Sequence, residues 1–305
     1  MPEALKYDTS STLDWLTVTT TTRNGRYALQ SIFERYKTSE GHPTRFYGFD
    51  CLRDEAGLTW GTRSNDGRGI LIAPGETATK VFGRLKPVPV KVTRIDLATD
   101  VWLEQPRDQV KQSSRVPLSR GYDGRVKATF ITGTGGRARG RKGNTLYLGS
   151  RQSNQYGRFY DKGLQQKTAP PGKWLRYEVE YKGQGALDIA KAARELLPAQ
   201  FGEWVMCTVY DWWLDRAVVP IFRPGTDTPG TRVRSQYKQT TPEKKLAWLS
   251  SQVRPTVKYL FEQGMRNETL AALGLELAHY DEPGYSITSS SLGGEQPAAA
   301  AANGG

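Results

Sequence analysis

"VKVTRIDLATDVWL", at residues 90–103, has the β-branched content and the alternation of one long β-strand. Because successive strand residues point to opposite faces, its central part separates into two sets of side chains. One face carries the charged residues Arg94, Asp96 and Asp100, together with Ala98. The other face is apolar or β-branched, with Ile95, Leu97, Thr99 and Val101. This pattern predicts a strand that covers a core on one side and presents charge on the other.

Two later segments repeat the pattern. "KWLRYEVEYKG" (173–183) reads as a strand whose charged face carries Arg176, Glu178 and Glu180. "GRFYDKG" (157–163) reads as a strand whose corresponding face carries Arg158, Tyr160 and Lys162. If these strands pair within one sheet, they gather three carboxylates, Asp96, Glu178 and Glu180, beside a tyrosine and several cations.

The rest of the chain predicts mostly short strands with a few helices. A strand is expected at 13–20, a helix at 26–40, antiparallel hairpins over 45–83, and a loop with a helical turn over 104–126. Further strands are expected at 126–132 and 145–150, and an amphipathic helix at 186–197. Such an order favours an α+β fold with a central antiparallel sheet flanked by helices.

Three regions are expected along the chain. Residues 1–225 form the α+β domain and residues 226–282 form a C-terminal helical segment. The helical segment contains "TPEKKLAWLSSQV", where Thr241 has the residue type of an N-cap and Pro242 that of a first helical position. Residues 283–305 are of low complexity, which predicts a disordered tail.

Composition narrows the class of partner. The 305 residues carry a net charge of +12 with a pI near 9.6, which favours a polyanion such as nucleic acid. Cys51 and Cys207 are the two cysteines, so neither a disulfide framework nor a thiolate zinc site is expected. The N-terminus lacks the apolar segment of a signal peptide, and the apolar run at 204–214 is short and contains Asp211. A cytoplasmic protein without a membrane span is the expectation.

The charged strand faces indicate phosphodiester chemistry. Carboxylates on rigid strands are the usual ligands of Mg²⁺ or Mn²⁺, and such a cofactor polarises a phosphodiester. A tyrosine attacks phosphorus and retains the strand as a phosphotyrosine ester, while nearby cations neutralise the phosphate. The competing interpretation is the solvated face of an ordinary antiparallel sheet.

Several of these segments also carry a family resemblance. "RIDLATD", "TLYLGSRQSNQYGRFYDKGLQQ" and "WLRYEVEYKG" resemble the replication initiation factor family, and "LDWLTVT" (13–19) resembles the first strand of that family. The family comprises rolling-circle initiators of staphylococcal-type plasmids and certain filamentous phages, with relatives among conjugative-element relaxases. The likeness extends from about residue 13 to about residue 200, with four blocks in the family's order.

The resemblance implies a Rep-like nickase or relaxase fold and nicking of an origin by one tyrosine. It places that tyrosine at Tyr160, beside Arg158 and Lys162, with Tyr147 and Tyr156 as alternatives. It assigns the Mg²⁺ or Mn²⁺ ligands to Asp96, Glu178 and Glu180, with Asp100 as a further candidate. One departure is "KGLQQ" at 162–166, because plasmid members usually carry an acidic residue and then glutamine after the lysine. Any role of that acidic residue does not carry over.

The sequence excludes two other motifs, the paired histidines of another class of nickase and the nucleotide-binding P-loop. A nickase of the His-hydrophobe-His type needs paired histidines, whereas this chain has His42 and His279 alone. A P-loop needs Gly-Lys-Ser/Thr, whereas Gly140 is followed by Arg141, Lys142 and Gly143. A nicking activity in this chain therefore depends on carboxylates.

Basic residues outside the strands are candidate DNA contacts. The glycine-rich loop 133–144 is expected either to grip the DNA backbone or to be a solvated hairpin tip; its cations are Arg137, Arg139, Arg141 and Lys142. Arg151, in the turn before the tyrosine strand, is a candidate for positioning the scissile phosphate, and Arg94 is a further DNA contact. The helices after residue 241 are interpreted either as a helix-turn-helix-like unit or as a packing or homodimer contact.

These observations lead to one functional expectation and three rivals. The protein is expected to nick one strand of an origin, presented as a hairpin or single strand, and to leave a 5′-phosphotyrosine and a free 3′-OH. That end would prime displacement synthesis by host helicase and DNA polymerase, and strand transfer would close the product circle. The rivals are a conjugative relaxase, a non-catalytic DNA-binding regulator on the same fold, and a single-strand-binding protein.

Overall fold

The computed structural model describes residues 6–85, 87–119, 127–132, 143–225, 229–233, 242–243, 246 and 249–273. The chain divides into two compact units, Met1–Gln236 and Tyr237–Gly305. The first unit contains every strand and the first six helices of the described residues. The predicted tail at 283–305, the basic residues of the 133–142 loop and the predicted N-cap Thr241 lie outside the described residues.

Ten strands occur in the described part of the first unit: β1 Tyr7–Thr20, β2 His42–Phe46, β3 Phe49–Arg53, β4 Thr59–Thr62, β5 Gly69–Pro74, β6 Lys91–Leu103, β7 Ala128–Ile131, β8 Thr145–Leu148, β9 Gln155–Asp161 and β10 Trp174–Lys182. The helices of this unit are α1 Arg23–Tyr36, α2 Gly75–Arg84, α3 Gln109–Ser119, α4 Lys162–Gln166, α5 Gln184–Arg194 and α6 Pro198–Leu214. The α+β prediction is confirmed.

All ten strands join one antiparallel sheet in the order β2-β3-β4-β5-β1-β6-β10-β9-β8-β7. The two longest strands, β1 and β6, pair side by side near the middle, and β10 pairs β6 along its whole length. The strands predicted from their charged faces, β6, β10 and β9, are therefore direct neighbours in the sheet. This adjacency places the predicted site residues on one surface.

The apolar faces of these strands form the main core with α5 and α6. Leu97, Tyr177 and Val179 are fully buried, and Phe159 stacks on Tyr177 with ring centroids 3.9 Å apart. Trp213 of α6 meets the edge of both rings. Because this side is filled with large apolar groups, the alternate residues of the same strands are directed to the opposite face.

Three helices correct the secondary structure expected from the sequence. Residues 75–84 form α2 rather than hairpin, because Ala78, Val81, Phe82 and Leu85 recur at helical spacing and are all buried. α3 occupies much of the region expected to be a loop, and α6 occupies the apolar run that carried no secondary-structure prediction. The tyrosine strand ends at Asp161, so Lys162 is the first residue of α4 rather than a strand residue.

The second unit contains helical segments in its described residues. A π-helical turn covers Leu249–Val253, and two α-helices follow, Arg254–Glu262 and Arg266–Ala272. In both units, no described helix is long and apolar enough to cross a membrane.

Candidate active site

The register of β6, β10 and β9 brings the predicted residues into rows across the sheet. Glu180 of β10 lies opposite Asp96 of β6. Glu178, two residues earlier on β10, lies opposite Arg158 of β9. Arg176 starts the next row, between Asp100 of β6 and Tyr160 of β9. The predicted carboxylates, tyrosine and strand cations therefore share one continuous face, as their alternation predicts.

Tyr160 contacts a carboxylate directly. Its hydroxyl donates to Glu178 Oε2 at 3.3 Å, while Arg158 Nη2 donates to Glu178 Oε1. The Arg158 guanidinium and the Lys162 ammonium each lie 5.9 Å from the centroid of the tyrosine ring. Lys162 belongs to α4 and not to the strand, but it still lies beside the Tyr160 ring, as predicted. Tyr160 therefore has one carboxylate at its hydroxyl and two cations beside its ring.

Arg94 bridges two of the predicted metal ligands. Its guanidinium donates to Asp96 through Nε at 2.8 Å and through Nη2 at 2.5 Å, and Nη2 also lies 2.8 Å from Glu180 Oε2. Lys182 pairs with the other oxygen of Glu180. Asp96 is only 1% exposed, so its charge depends on Arg94 rather than on water, and Glu178, also 1% exposed, depends in the same way on Arg158.

Asp100 belongs to a second ionic cluster. Arg176 binds it in a bidentate manner, Nε to Oδ1 at 2.7 Å and Nη2 to Oδ2 at 2.6 Å, and Trp174 Nε1 donates to Oδ1 at 2.8 Å. The third nitrogen of Arg176 lies 2.6 Å from Asp14. Protein donors thus engage both oxygens of Asp100.

Burial changes the protonation behaviour of this face. Desolvation raises the pKa of Asp96 to about 7, and repulsion from Glu178 and Glu180 adds to the rise while Arg94 opposes it. Desolvation also raises the pKa of Tyr160 strongly, and the negative charge of Glu178 adds to this rise. The pKa of Lys162 is lowered, first by burial and then by Arg176. The phenol therefore carries its proton at neutral pH in the free protein.

The three carboxylates Asp96, Glu178 and Glu180 suit a hard divalent cation, although the Arg94 guanidinium lies between Asp96 and Glu180. Asp96, Glu178 and Glu180 offer only oxygen atoms on rigid strands, which are the ligands that Mg²⁺ and Mn²⁺ prefer. Within the described residues, no three His, Cys, Asp or Glu side chains converge into a ready-made metal cage. A cation at Asp96 and Glu180 would therefore have to take the place of the Arg94 guanidinium.

The alternative tyrosines lie on the same face. Tyr147 of β8 stacks on Tyr156 of β9, with centroids 5.7 Å apart and rings 16° from parallel. Tyr156 is 7% exposed, and burial raises its pKa. Tyr160 differs from both in its hydrogen bond to Glu178, which favours it as the nucleophile.

The predicted DNA contacts fall into three groups. Arg151 is exposed in the turn before β9, and its carbonyl accepts a hydrogen bond from Lys182 Nζ at 2.5 Å. Arg94 is one-quarter exposed and belongs to the ionic network. The remaining candidates, Arg137, Arg139, Arg141 and Lys142, lie outside the described residues.

Sequence reasoning missed the contribution of β1 to this site. Its register against β6 shifts between Leu13 and Trp15, and Asp14 in between reaches Arg176. The sequence carries a signal for this, because the two leucines Leu13 and Leu16 are three residues apart, and both are buried in the structure. A spacing of three inside a strand breaks the two-residue period and indicates a bulge.

The part of the chain that carries most of this site matches the model of a known protein family. Residues 90–202 match the model of the replication initiation factor family. This segment contains β6, β9 and β10 with all four predicted metal ligands and Tyr160. The resemblance stated from the sequence motifs is therefore confirmed over that segment.

A solved structure supports the fold over a larger part of the chain. It is described as the rolling circle replication initiator protein from Geobacillus stearothermophilus, with a TM-score of 0.52 and 20% sequence identity. The match covers 74% of this chain and 93% of the other. At this identity the likeness is one of fold, and it confirms the predicted Rep-like architecture. No curated protein matches the chain.

Proposed function

We propose that this protein is a rolling-circle replication initiator that nicks one strand of an origin through Tyr160 and rejoins it by strand transfer. The observation that carries the proposal is the hydrogen bond from the Tyr160 hydroxyl to Glu178, with Arg158 and Lys162 beside the ring. These residues belong to the segment that matches the family model. The net charge of +12 suits DNA as the substrate.

The proposed first step is an in-line displacement at phosphorus. The Tyr160 oxygen attacks the scissile phosphodiester, and its proton passes to the Glu178 carboxylate. The bond between phosphorus and O3′ breaks, and the departing O3′ takes up a proton from water. The products are a 5′-phosphotyrosine and a strand with a free 3′-OH. Because burial keeps the phenol protonated, a base in contact with it is needed, and Glu178 is that base. Religation is the reverse attack, in which a 3′-OH displaces the tyrosine oxygen.

The cations supply charge where the reaction needs it. Arg158 and Lys162 lie where they would neutralise the phosphate, and Arg158 also holds Glu178 in place for the phenol. The cofactor in this proposal, Mg²⁺ or Mn²⁺ held by Asp96, Glu178 and Glu180, supplies Lewis-acid polarisation of the phosphodiester when bound. Host DNA polymerase would then extend the free 3′-OH while a host helicase separates the strands.

The deciding experiment looks for the covalent intermediate. Labelled single-stranded hairpin oligonucleotides from the protein's own replicon are incubated with Mn²⁺ or with EDTA and separated on denaturing gels. We expect an adduct that requires metal, is absent in Tyr160→Phe, and persists in the matched variants Tyr147→Phe and Tyr156→Phe. An adduct that survives Tyr160→Phe would contradict the assignment of the nucleophile.

One observation favours a second candidate, a non-catalytic DNA-binding regulator on the same fold. Asp96, Asp100, Glu178 and Glu180 each pair with an arginine, as they would if the network served stability alone. In a regulator, Glu178→Gln would leave both DNA binding and function intact. In an initiator, it would abolish adduct formation while DNA binding persists. A conjugative relaxase uses the same chemistry and is distinguished by cleavage of a transfer origin instead of a replication origin.

A further inference from the structure

An apolar cluster adjoins the ionic network on the same face of the sheet. Its buried members are Phe49, Cys51, Ile70 and Ile72, and Trp15 and Phe46 pack against them. The register places Ile72 of β5 opposite Thr17 of β1, and Thr17 opposite Arg94 of β6. The cluster therefore continues the charged face toward β3 instead of joining the main core on the other side.

A cleft of about 320 Å³ opens over this cluster. Four aromatic side chains line it, namely Trp15, Phe46, Tyr47 and Phe49. On the side of the ionic network it is bordered by Arg94 and Lys182, the two cations that pair with Glu180. The Arg94 guanidinium lies 5.0 Å from the centroid of the Trp15 ring, so the cleft and the network share a wall.

Tyr47 stands at the rim in an unfavourable backbone conformation. It forms a two-residue turn with Gly48 between the paired residues Phe46 and Phe49, and the φ angles of the turn are +50° and +76°. Two positive φ angles are those of a type I′ turn, in which Asn is the favoured first residue and a bulky side chain is unusual. Nevertheless the Tyr47 side chain is 70% exposed. Burial does not explain a tyrosine here, whereas a ligand at the rim would.

The turn is held in place from behind. Arg63 Nη2 donates to the Tyr47 carbonyl at 3.1 Å, and the Arg63 guanidinium lies over the Phe49 ring at 4.4 Å. The Tyr47 ring meets the edge of Phe46, with centroids 4.3 Å apart. An exposed ring on a fixed support loses little conformational freedom when a flat ligand stacks on it.

We propose that this cleft binds one unpaired base of the DNA strand that the protein nicks, with the base stacked on Tyr47 and the adjoining backbone near Arg94 and Lys182. The inference rests on the proposed function, because it takes single-stranded DNA as the substrate. Aromatic rings interleaved with cations are the combination that binds single strands. The volume lies at the lower end of the range for small-molecule sites, which suits one base and excludes a duplex.

Binding is measured in EDTA, where no cleavage is expected, by the fluorescence anisotropy of labelled oligo(dT). Tyr47→Asn removes the ring, Tyr47→Phe keeps it, and Tyr27→Asn is the matched control, since Tyr27 is a 56% exposed tyrosine on α1 outside the cleft. We expect Tyr47→Asn to weaken binding about ten-fold, as the loss of one base–aromatic stack does. Tyr47→Phe and Tyr27→Asn should bind like the unaltered protein.

A strand of the same length with abasic sites separates base contacts from backbone contacts. The unaltered protein should bind it more weakly than oligo(dT), and Tyr47→Asn should bind it no more weakly than the unaltered protein does. Equal affinity of Tyr47→Asn and the unaltered protein for oligo(dT) would overturn the proposal, as would an equal loss on the abasic strand. Asn-Gly suits a type I′ turn, so the unfolding midpoint of Tyr47→Asn should not fall, and a loss of binding then reflects the ring.

The outcome is separate from that of the nicking proposal. If Tyr47→Asn loses affinity for oligo(dT) and no covalent adduct forms, the cleft stands and the nicking proposal fails. If an adduct forms through Tyr160 and Tyr47→Asn binds like the unaltered protein, nicking stands and the cleft proposal fails.

Discussion

Replacing Arg176 by methionine should be among the most damaging single changes on the charged face. Methionine keeps much of the stem volume and removes the guanidinium that holds Asp100 and Asp14. The Arg176 and Asp100 side chains are 8% and 6% exposed, so water does not replace the lost guanidinium. After the change, Asp100 keeps only the Trp174 N–H among its present side-chain donors.

The cost follows from leaving a buried carboxylate without its counter-charge. Breaking a buried pair by removing one partner typically costs about 3–5 kcal/mol, against about 0–1 kcal/mol for an exposed pair. Glu178→Gln is the informative comparison, because the Arg158 side chain is 28% exposed and reaches water once the charge of its partner is gone. The amide still accepts from Arg158, so we expect a loss of only about 1–2 kcal/mol.

Urea unfolding followed by tryptophan fluorescence measures these differences. The control is the double variant Asp100→Asn with Arg176→Met, which removes both charges. The double variant should lose less stability than the sum of the losses in Arg176→Met and Asp100→Asn. The difference, a coupling energy, should be about 2–3 kcal/mol. A loss below about 1 kcal/mol for Arg176→Met, or a coupling energy near zero, would refute the view that this ion pair is a structural part of the face.

Three further predictions concern packing, thiols and metal. Gly157→Ala should destabilise the protein by about 1–3 kcal/mol in urea unfolding, because a Cβ there would lie within 2.5 Å of two atoms of the Trp212 ring. An unchanged unfolding midpoint would contradict this packing. Cys51 and Cys207 are buried with raised pKa values, caused first by desolvation, so a chromogenic disulfide reagent at neutral pH should modify both slowly in the native protein and rapidly in denaturant. Rapid native labelling would show an opening that this fold does not provide. Mn²⁺ should raise the thermal midpoint of the unaltered protein but much less that of Glu178→Gln, and equal shifts would exclude Glu178 as a ligand.

Alternation made the charged face predictable. The faces of β6 and β10 follow from a two-residue period, and the resemblance to the replication initiation factor family places the tyrosine strand with them. The sequence does not reveal which charged residues form ion pairs. Arg94 pairs with Asp96, two residues away on the same strand, but its second pair, with Glu180, depends on the register between two strands. Pair register is a property of the assembled sheet, so no local pattern encodes it.

The helices that were missed have two different causes. α2 contains threonine and valine, which favour a strand by propensity, while its buried residues follow the helical period; packing overrode propensity. α6 is apolar on most of its surface, so its amphipathic signal is weak and it resembles a generic buried segment. The cleft beside Trp15 depends on the β2–β3 turn and on a bulge in β1, which bring together residues separated by more than thirty positions.

The hydrogen bonding of the sheet sets a fixed distance between two proposed contacts with DNA. Trp15 at the cleft lies in the row of Asp96, Glu180 and Tyr156, three strand spacings or about 14 Å from β9. Tyr160 lies four residues further along β9, about 13 Å. The diagonal is about 20 Å, which a single strand of DNA spans with a few nucleotides. Backbone pairing thus acts as a molecular ruler, because the strands themselves set the separation between Trp15 in the wall of the cleft and Tyr160.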